Sequence, residues 1–158
     1  MDKFPGKVAV GVFLTAFMPD TQHKPSYVLD KHAGTLPTAE ELDRRLSLIG
    51  SKSILSFSNE DLSDKFYQLS PIEDLELAKT LTRPGSLFLE DLTRTKNFYK
   101  EGYGSVPRSF IICNEDLAIP LELQRWMIQN AGIDYKDEIK GADHMAVLSK
   151  TQEVYDFC

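Results

Sequence analysis

A chain of 158 residues with 42% hydrophobic and 27% charged residues has the make-up of one folded domain, which sets aside disorder, collagen-like repeats and disulfide scaffolds. At this length folding removes roughly 70% of the unfolded surface from water, enough for a core without metals or disulfides. The 18 Lys and Arg against 24 Asp and Glu leave a net charge of −6, with no basic run beyond Arg44-Arg45, so nucleic acid and anionic membrane surfaces, which need clustered cations, are poor partners.

Met1 to Lys7 has neither the apolar core of a signal peptide nor an Arg/Ser-rich transit pattern. Asp2 to Gly6 reads as the tail of a helix and a Pro/Gly turn. Residues 7–18 form an almost unbroken apolar run stopped by Pro19-Asp20, which predicts a strand buried on both faces of a helix-covered parallel sheet. No apolar run reaches the ~18 residues that span a bilayer. From Asp20 to about Lys100 the texture is polar and punctuated by helix signals, without strong strand runs. Thr38 and Glu41 have capping-box spacing and predict a helix over 39–48. Asn59 is positioned to cap a second helix through Leu69. Ser70-Pro71 opens a third, which ends near Arg83-Pro84-Gly85. Val106 to Cys113 reads as a second buried strand, Pro120 to Ala131 as a helix stopped by Gly132, and Tyr135 to Lys140 as a short strand. Ser149 and Gln152 repeat the capping-box spacing ahead of a last helix. The order predicts one α/β unit with parallel strands and a helical insertion over 20–100. The two cysteines, Cys113 inside an apolar run and Cys158 at the end, suit free thiols in a reducing, cytoplasmic setting.

In an open parallel sheet, reactive groups gather beyond the carboxyl ends of strands, and two candidates stand there: Asp116 after strand 106–113 and His144 after strand 135–140. An Asp that accepts the Nδ1 proton of an imidazole fixes its tautomer and leaves Nε2 as a general base. The order Asp then His, 28 residues apart, matches the last two members of a Ser-Asp-His triad. The competing reading has Asp116 capping the helix at Pro120 and His144 in an ordinary turn. A nucleophile elbow, Gly-x-Ser-x-Gly, does not occur in the 158 residues, and Gly102-Tyr103-Gly104-Ser105 precedes a strand instead of following one. His23 and His32 lack metal-ligand spacing and read as solvated loop histidines. Cys113 reads as a buried filler, and Asp61, Asp64, Glu73, Asp74 and Glu76 as a solvated helix face. Trp126, Phe88, Phe57 and Met145 are large enough to line a pocket, although such residues are core by default.

Ala16-Phe17-Met18-Pro19-Asp20, Phe66-Tyr67-Gln68-Leu69, Arg83-Pro84-Gly85-Ser86-Leu87-Phe88, Cys113-Asn114-Glu115-Asp116, Gln124-Arg125-Trp126 and Gly141-Ala142-Asp143-His144-Met145 closely resemble the plant methylesterases of the α/β-hydrolase superfamily. That group also takes in α-hydroxynitrile lyases, and the resemblance runs along essentially the whole chain. It implies the C-terminal part of an α/β-hydrolase fold, with 20–100 as a helical cap and the elbow and first strands not represented. It further implies hydrolysis of small methyl esters such as methyl salicylate, methyl jasmonate or methyl indole-3-acetate, without metal or organic cofactor. Asp116 resembles the triad acid and His144 the triad base, with Phe88 and Met145 as substrate contacts. A small ester or carboxylic acid is then the partner, with a homodimer also compatible. Two other readings stand beside it: a hydroxynitrile lyase, or a remnant that binds a small ligand without catalysis. The lyases typically place a Lys directly after the catalytic His, where this chain has Met145, which favours the esterase. By the same resemblance strand 7–18 lacks one neighbour, so residues 8–16 should form an edge with exposed aliphatic side chains.

Overall fold

A computed structural model describes residues 1–34, 46–49, 52–133 and 136–157. Its centre is a three-stranded parallel sheet of β1 (Gly11–Leu14), β4 (Arg108–Cys113) and β5 (Lys136–Ile139), in the order β1-β4-β5. Gly11 is paired with Arg108 and Leu14 with Ile111, while Phe110 faces Lys136 and Cys113 faces Ile139. The central strand β4 is buried on both faces because its side chains alternate between two apolar clusters. Phe110 and Ile112 join Met18, Val28, Leu123 and Met127 on one side. Ile111 and Cys113 join Ile139, Ala142 and Ala146 on the other. Each fully buried side chain of this size contributes roughly 1.5–3 kcal/mol.

Helix α5 (Leu121–Ala131) covers the first cluster with Leu123, Met127 and Ile128. Its stop follows the expectation: Gly132 is in the left-handed region at φ 61, its amide donating to the carbonyls of Gln129 and Ile128. At the chain's end α6 (Ala146–Ser149) and α7 (Thr151–Asp156) follow β5. No helix among the described residues is long and apolar enough to cross a membrane.

The segment between β1 and β4 carries α1 (Tyr27–Ala33), a two-stranded antiparallel sheet of β2 (Leu46–Ile49) and β3 (Lys52–Leu55), then α2 (Asn59–Asp61), α3 (Ile72–Leu81) and α4 (Leu89–Arg94). α2 runs on into a π-helical turn, Leu62–Phe66, closed by the Tyr67 amide on the Leu62 carbonyl. The β2–β3 pair corrects the expectation that this segment holds no strands. Leu46-Ser47-Leu48-Ile49 and Lys52-Ser53-Ile54-Leu55 are too short for periodicity to separate strand from helix, and they bond to each other. The expected helix 39–48 therefore gives way to a strand at Leu46–Leu48, and its part over 39–45 lies outside the described residues. Three expected caps also differ. Ser58, not Asn59, caps α2 in a reciprocal box with Asp61. The hydroxyls of Ser70 and Ser149 donate to Asp143 instead of capping helices.

Strand β1 is shorter than the run 7–18 and is not buried on both faces. The amides of Gly11 and Thr15 bond toward β4, so those of Val10, Val12 and Leu14 face the free edge. Val10 and Val12 are half exposed, at 50% and 51%, while Val8, Phe13 and Leu14 are partly covered. A flat aliphatic edge is a template for pairing with another chain. The 158-residue polypeptide is expected to self-associate, and Val12→Lys, which places a charge on the open edge, to shift it toward monomer without loss of far-ultraviolet ellipticity. Light scattering coupled to gel filtration checks this; a monomeric unsubstituted chain would contradict it.

Candidate active site

The two residues that the strand ends single out are brought together. His144 Nδ1 lies 2.9 Å from Asp116 Oδ2, with the Asp116 side chain fully buried and that of His144 22% exposed. Their loops are adjacent because β4 and β5 pair in parallel, and two further bonds tie them. The Gly141 amide donates to Asn114 Oδ1 at 2.7 Å, and the Glu115 amide donates to the Ala142 carbonyl at 3.1 Å. Gly141 takes φ 70, a turn that favours glycine, and this swings the chain from β5 into the histidine loop.

Asp116 faces His144 and does not cap the helix at Pro120, whose N-terminus receives no side-chain cap bond. Oδ1 accepts the amides of Ala118 and Ile119, each at 2.8 Å, which shapes the loop ahead of α5. Oδ2 accepts from the Thr15 hydroxyl and faces His144 Nδ1. A carboxylate in this position only accepts, so the hydrogen-bond network assigns the His144 proton to Nδ1 and leaves the lone pair on Nε2.

Gln124, whose part the sequence did not disclose, locks the same loop from beneath. It is fully buried, its Oε1 accepts the Cys113 amide at 3.0 Å, and its Nε2 donates to the carbonyls of Cys113 and Ile119 at 2.9 and 2.8 Å. Its place on the apolar face of α5 between Leu123 and Met127 was the available signal, since a glutamine there needs polar partners. Asp143 is the other residue missed, buried without exposed surface and bonded to two segments. Cys113 beside them is an inert thiol. Burial, and then the charges of Asp116 and Asp143, push it up to about 12.

His144 borders two apolar cavities of about 500 and 320 Å³, which share Leu55, Phe57 and Phe66. Phe66 stands edge-on to the imidazole, ring centroids 5.0 Å apart at 86°, and Phe57 stands against Phe66 at 4.6 Å. Met145 lines the smaller cavity. Phe88 lines neither, which corrects its place as a substrate contact. Its backbone turns into the left-handed region at φ 52 and leaves the ring 62% exposed, while its neighbours Leu87 and Leu89 reach the larger cavity. Trp126 is also elsewhere, packed on Tyr27 and under Lys31. His32 is not a solvated loop residue: it lies on α1, one turn beyond the buried Val28, tilted against Phe17 at 5.3 Å and lining the larger cavity. His23 is exposed and bonded to Asp20 at 2.7 Å. A third cavity of about 650 Å³ lies against the sheet, lined by Val12 of β1, Ser109 and Ile111 of β4, Asp137 of β5 and Phe157, away from both candidates. Among the described residues no group of three His, Cys, Asp or Glu is arranged to hold a metal ion.

No protein-family model matches the chain. Among curated proteins, Methylesterase 1 of Arabidopsis thaliana is 50% identical over 160 residues, covering 99% of this chain and 61% of that protein. An α-hydroxynitrile lyase of the same plant is 46% identical over 158 residues, covering 98% of this chain and 61% of that protein. A crystal structure of polyneuridine aldehyde esterase superposes with a TM-score of 0.93 at 42% identity, over 99% of this chain and 63% of that one. The parallel sheet and its helices are thus a C-terminal part of an α/β-hydrolase fold, and the chain spans about 61% of the length of the first of these relatives.

Replacing Gln124 by Leu keeps the volume and strands three buried backbone partners. Each is worth about 1–3 kcal/mol when left unsatisfied. Urea unfolding should show a loss of about 3 kcal/mol or more, well beyond that of Arg125→Ala on the exposed face.

Proposed function

We propose that this chain, a plant methylesterase sequence over the C-terminal part of those proteins that it spans, carries the acid–base half of a hydrolase for small carboxylic methyl esters. Methyl salicylate, methyl jasmonate and methyl indole-3-acetate are the candidate substrates. The observation that supports the reading most is the buried Asp116 on Nδ1 of a His144 that borders an apolar cavity. In this reading Nε2 takes the proton of a serine nucleophile as it attacks the ester carbonyl, then delivers it to the departing methoxide. In the second half it deprotonates the water that releases the free acid. Asp116 keeps its charge throughout and stabilises the imidazolium. The serine and the oxyanion hole come from the part of the fold that the relatives carry and this chain does not span. Residues 20–100 serve as the cap over the substrate, with Phe57, Phe66 and Met145 against its acyl group, in the cytoplasm.

The similarity to an α-hydroxynitrile lyase keeps cyanohydrin cleavage as the alternative reading. Met145 next to His144 favours the ester, because a departing cyanide is stabilised by a cation and a thioether supplies none.

The test is a graft of the chain in place of the corresponding part of Methylesterase 1. The chimaera is expected to hydrolyse methyl salicylate or methyl jasmonate and to cleave mandelonitrile slowly at best. His144→Ala and Asp116→Asn should each lower kcat by about 10³-fold or more. Hydrolysis that survives His144→Ala, or efficient mandelonitrile cleavage, would overturn the assignment. The 158-residue polypeptide alone is expected to hydrolyse these esters no faster than its His144→Ala variant.

A further inference from the structure

We propose that Asp143 is a positioning residue: it holds the inserted segment, at Leu69 and Ser70, on the histidine loop so that Phe66 stays against the imidazole of His144. The importance of this for catalysis rests on the reading of His144 as the base. The geometry itself does not.

Asp143 has no exposed surface, and among the described residues no ion pair joins it to a Lys or Arg. Its charge is met by four hydrogen-bond donors, divided between its two oxygens. Oδ1 accepts the Met145 amide at 3.0 Å and the Ser149 hydroxyl at 2.7 Å, both from the stretch that follows it. Oδ2 accepts the Leu69 amide and the Ser70 hydroxyl, each at 2.9 Å, from a segment 74 and 73 residues away. One oxygen thus serves the histidine loop and the other serves the insertion. The carboxylate is the rivet between them.

Phe66 lies just before that anchor on a stiff connection. The Tyr67 amide closes the π-helical turn on Leu62, the Ser70 amide bonds back to the Tyr67 carbonyl at 3.1 Å, and Gln68 Nε2 reaches the Glu115 carbonyl at 2.6 Å. Residues 66–70 therefore form a strap across both loops that carry the pair. Its last two residues are fixed by Asp143 and its first is the ring that stands at 86° to His144. With that ring in place the imidazole is hindered from turning about its own bond, and both cavities keep the wall that Phe66 gives them.

The chemistry calls for a carboxylate and not merely a polar side chain. Two amides and two hydroxyls require acceptors on both oxygens, whereas an amide side chain offers one acceptor oxygen and turns an NH₂ toward donors on the other side. Asp143→Asn thus keeps the size of the side chain and breaks one half of the junction. A buried carboxylate left without its donors would be costly, which is why the four are found together.

The test uses the full chain and its three histidines as internal references. Carbethoxylation by diethyl pyrocarbonate is followed residue by residue by mass spectrometry, with amide hydrogen exchange in parallel. Asp143→Asn is expected to raise the rate at His144 at least fivefold relative to His23 and to speed exchange over 66–70, with exchange over 108–113 unchanged. Ser70→Ala, which removes one donor from Oδ2, should act in the same direction by about two- to threefold. Ser149→Ala, which acts on Oδ1, should leave His144 close to the unsubstituted rate. His144 rates within twofold of the unsubstituted chain in both Asp143→Asn and Ser70→Ala would overturn the proposal, as would Ser149→Ala matching Ser70→Ala. Should Asp143→Asn also loosen 108–113, the two serine variants decide. An inactive chimaera with the labelling as expected would overturn the role of His144 and leave that of Asp143 standing.

Discussion

A carboxylate cut off from solvent must be met by donors on every side, and Asp116 is in that position. Its partners are the Thr15 hydroxyl at the end of β1, the amides of Ala118 and Ile119, and the ring of His144, so four donors reach it from three stretches of chain. Thr15 donates to it from φ 36, in the left-handed region that a β-branched residue avoids at a cost of about 1–3 kcal/mol. The hydroxyl contact and the buried position of Thr15 offset that cost. The carboxyl end of the sheet is in this sense built around one charge. Gln124 completes the enclosure by fixing the backbone on either side of it.

The insertion is connected differently. It touches the pair through the Phe66 ring and the strap at residues 66–70, while α1 enters the sheet's core, with Val28 among Phe110, Ile112 and Met127 and Tyr27 against Trp126. β2 and β3 pair with each other, and β3 is bonded to Gly85 through reciprocal bonds between Leu55 and Gly85. The larger cavity is walled by both layers, with Leu55, Phe57 and Phe66 from the insertion and Phe17, Ala118 and Ile119 from the sheet's side. Asp116 and His144 sit in the loops that leave β4 and β5.

What could be read from sequence follows the same division. Strand β4 and helix α5 were legible because the apolar stretch Phe110 to Cys113 suits a strand covered on both faces, and because Gly132 ends a helix by a local rule that tertiary contacts do not alter. Asp116 and His144 were legible because parallel topology alone brings strand ends together. The apolar run 7–18 overstated the length and burial of β1, whereas the resemblance, which left it without one neighbour, anticipated its edge position and the exposure of Val10 and Val12. The serines misled for a specific reason. Ser70 and Ser149 have the spacing of caps, but α3 and α7 start one residue further on, behind Pro71 and Lys150, and the two hydroxyls donate to the buried Asp143 carboxylate. Phe88 carried the family pattern, yet its exposure follows from a backbone angle that no pattern of side chains encodes. Asp143 stood in the motif beside His144 without showing that its partners lay at Leu69 and Ser70.

The ties between Asn114 and Gly141 and between Glu115 and Ala142 join the two loops without passing through the insertion. Mutational drift in residues 20–100 can accordingly reshape what the cavity admits while the Asp116–His144 geometry is inherited unchanged. Selection can act on the two properties separately, with the strap at Asp143 as the place where they are obliged to coevolve. A change of cavity wall and a constant pair are thereby separable within one fold.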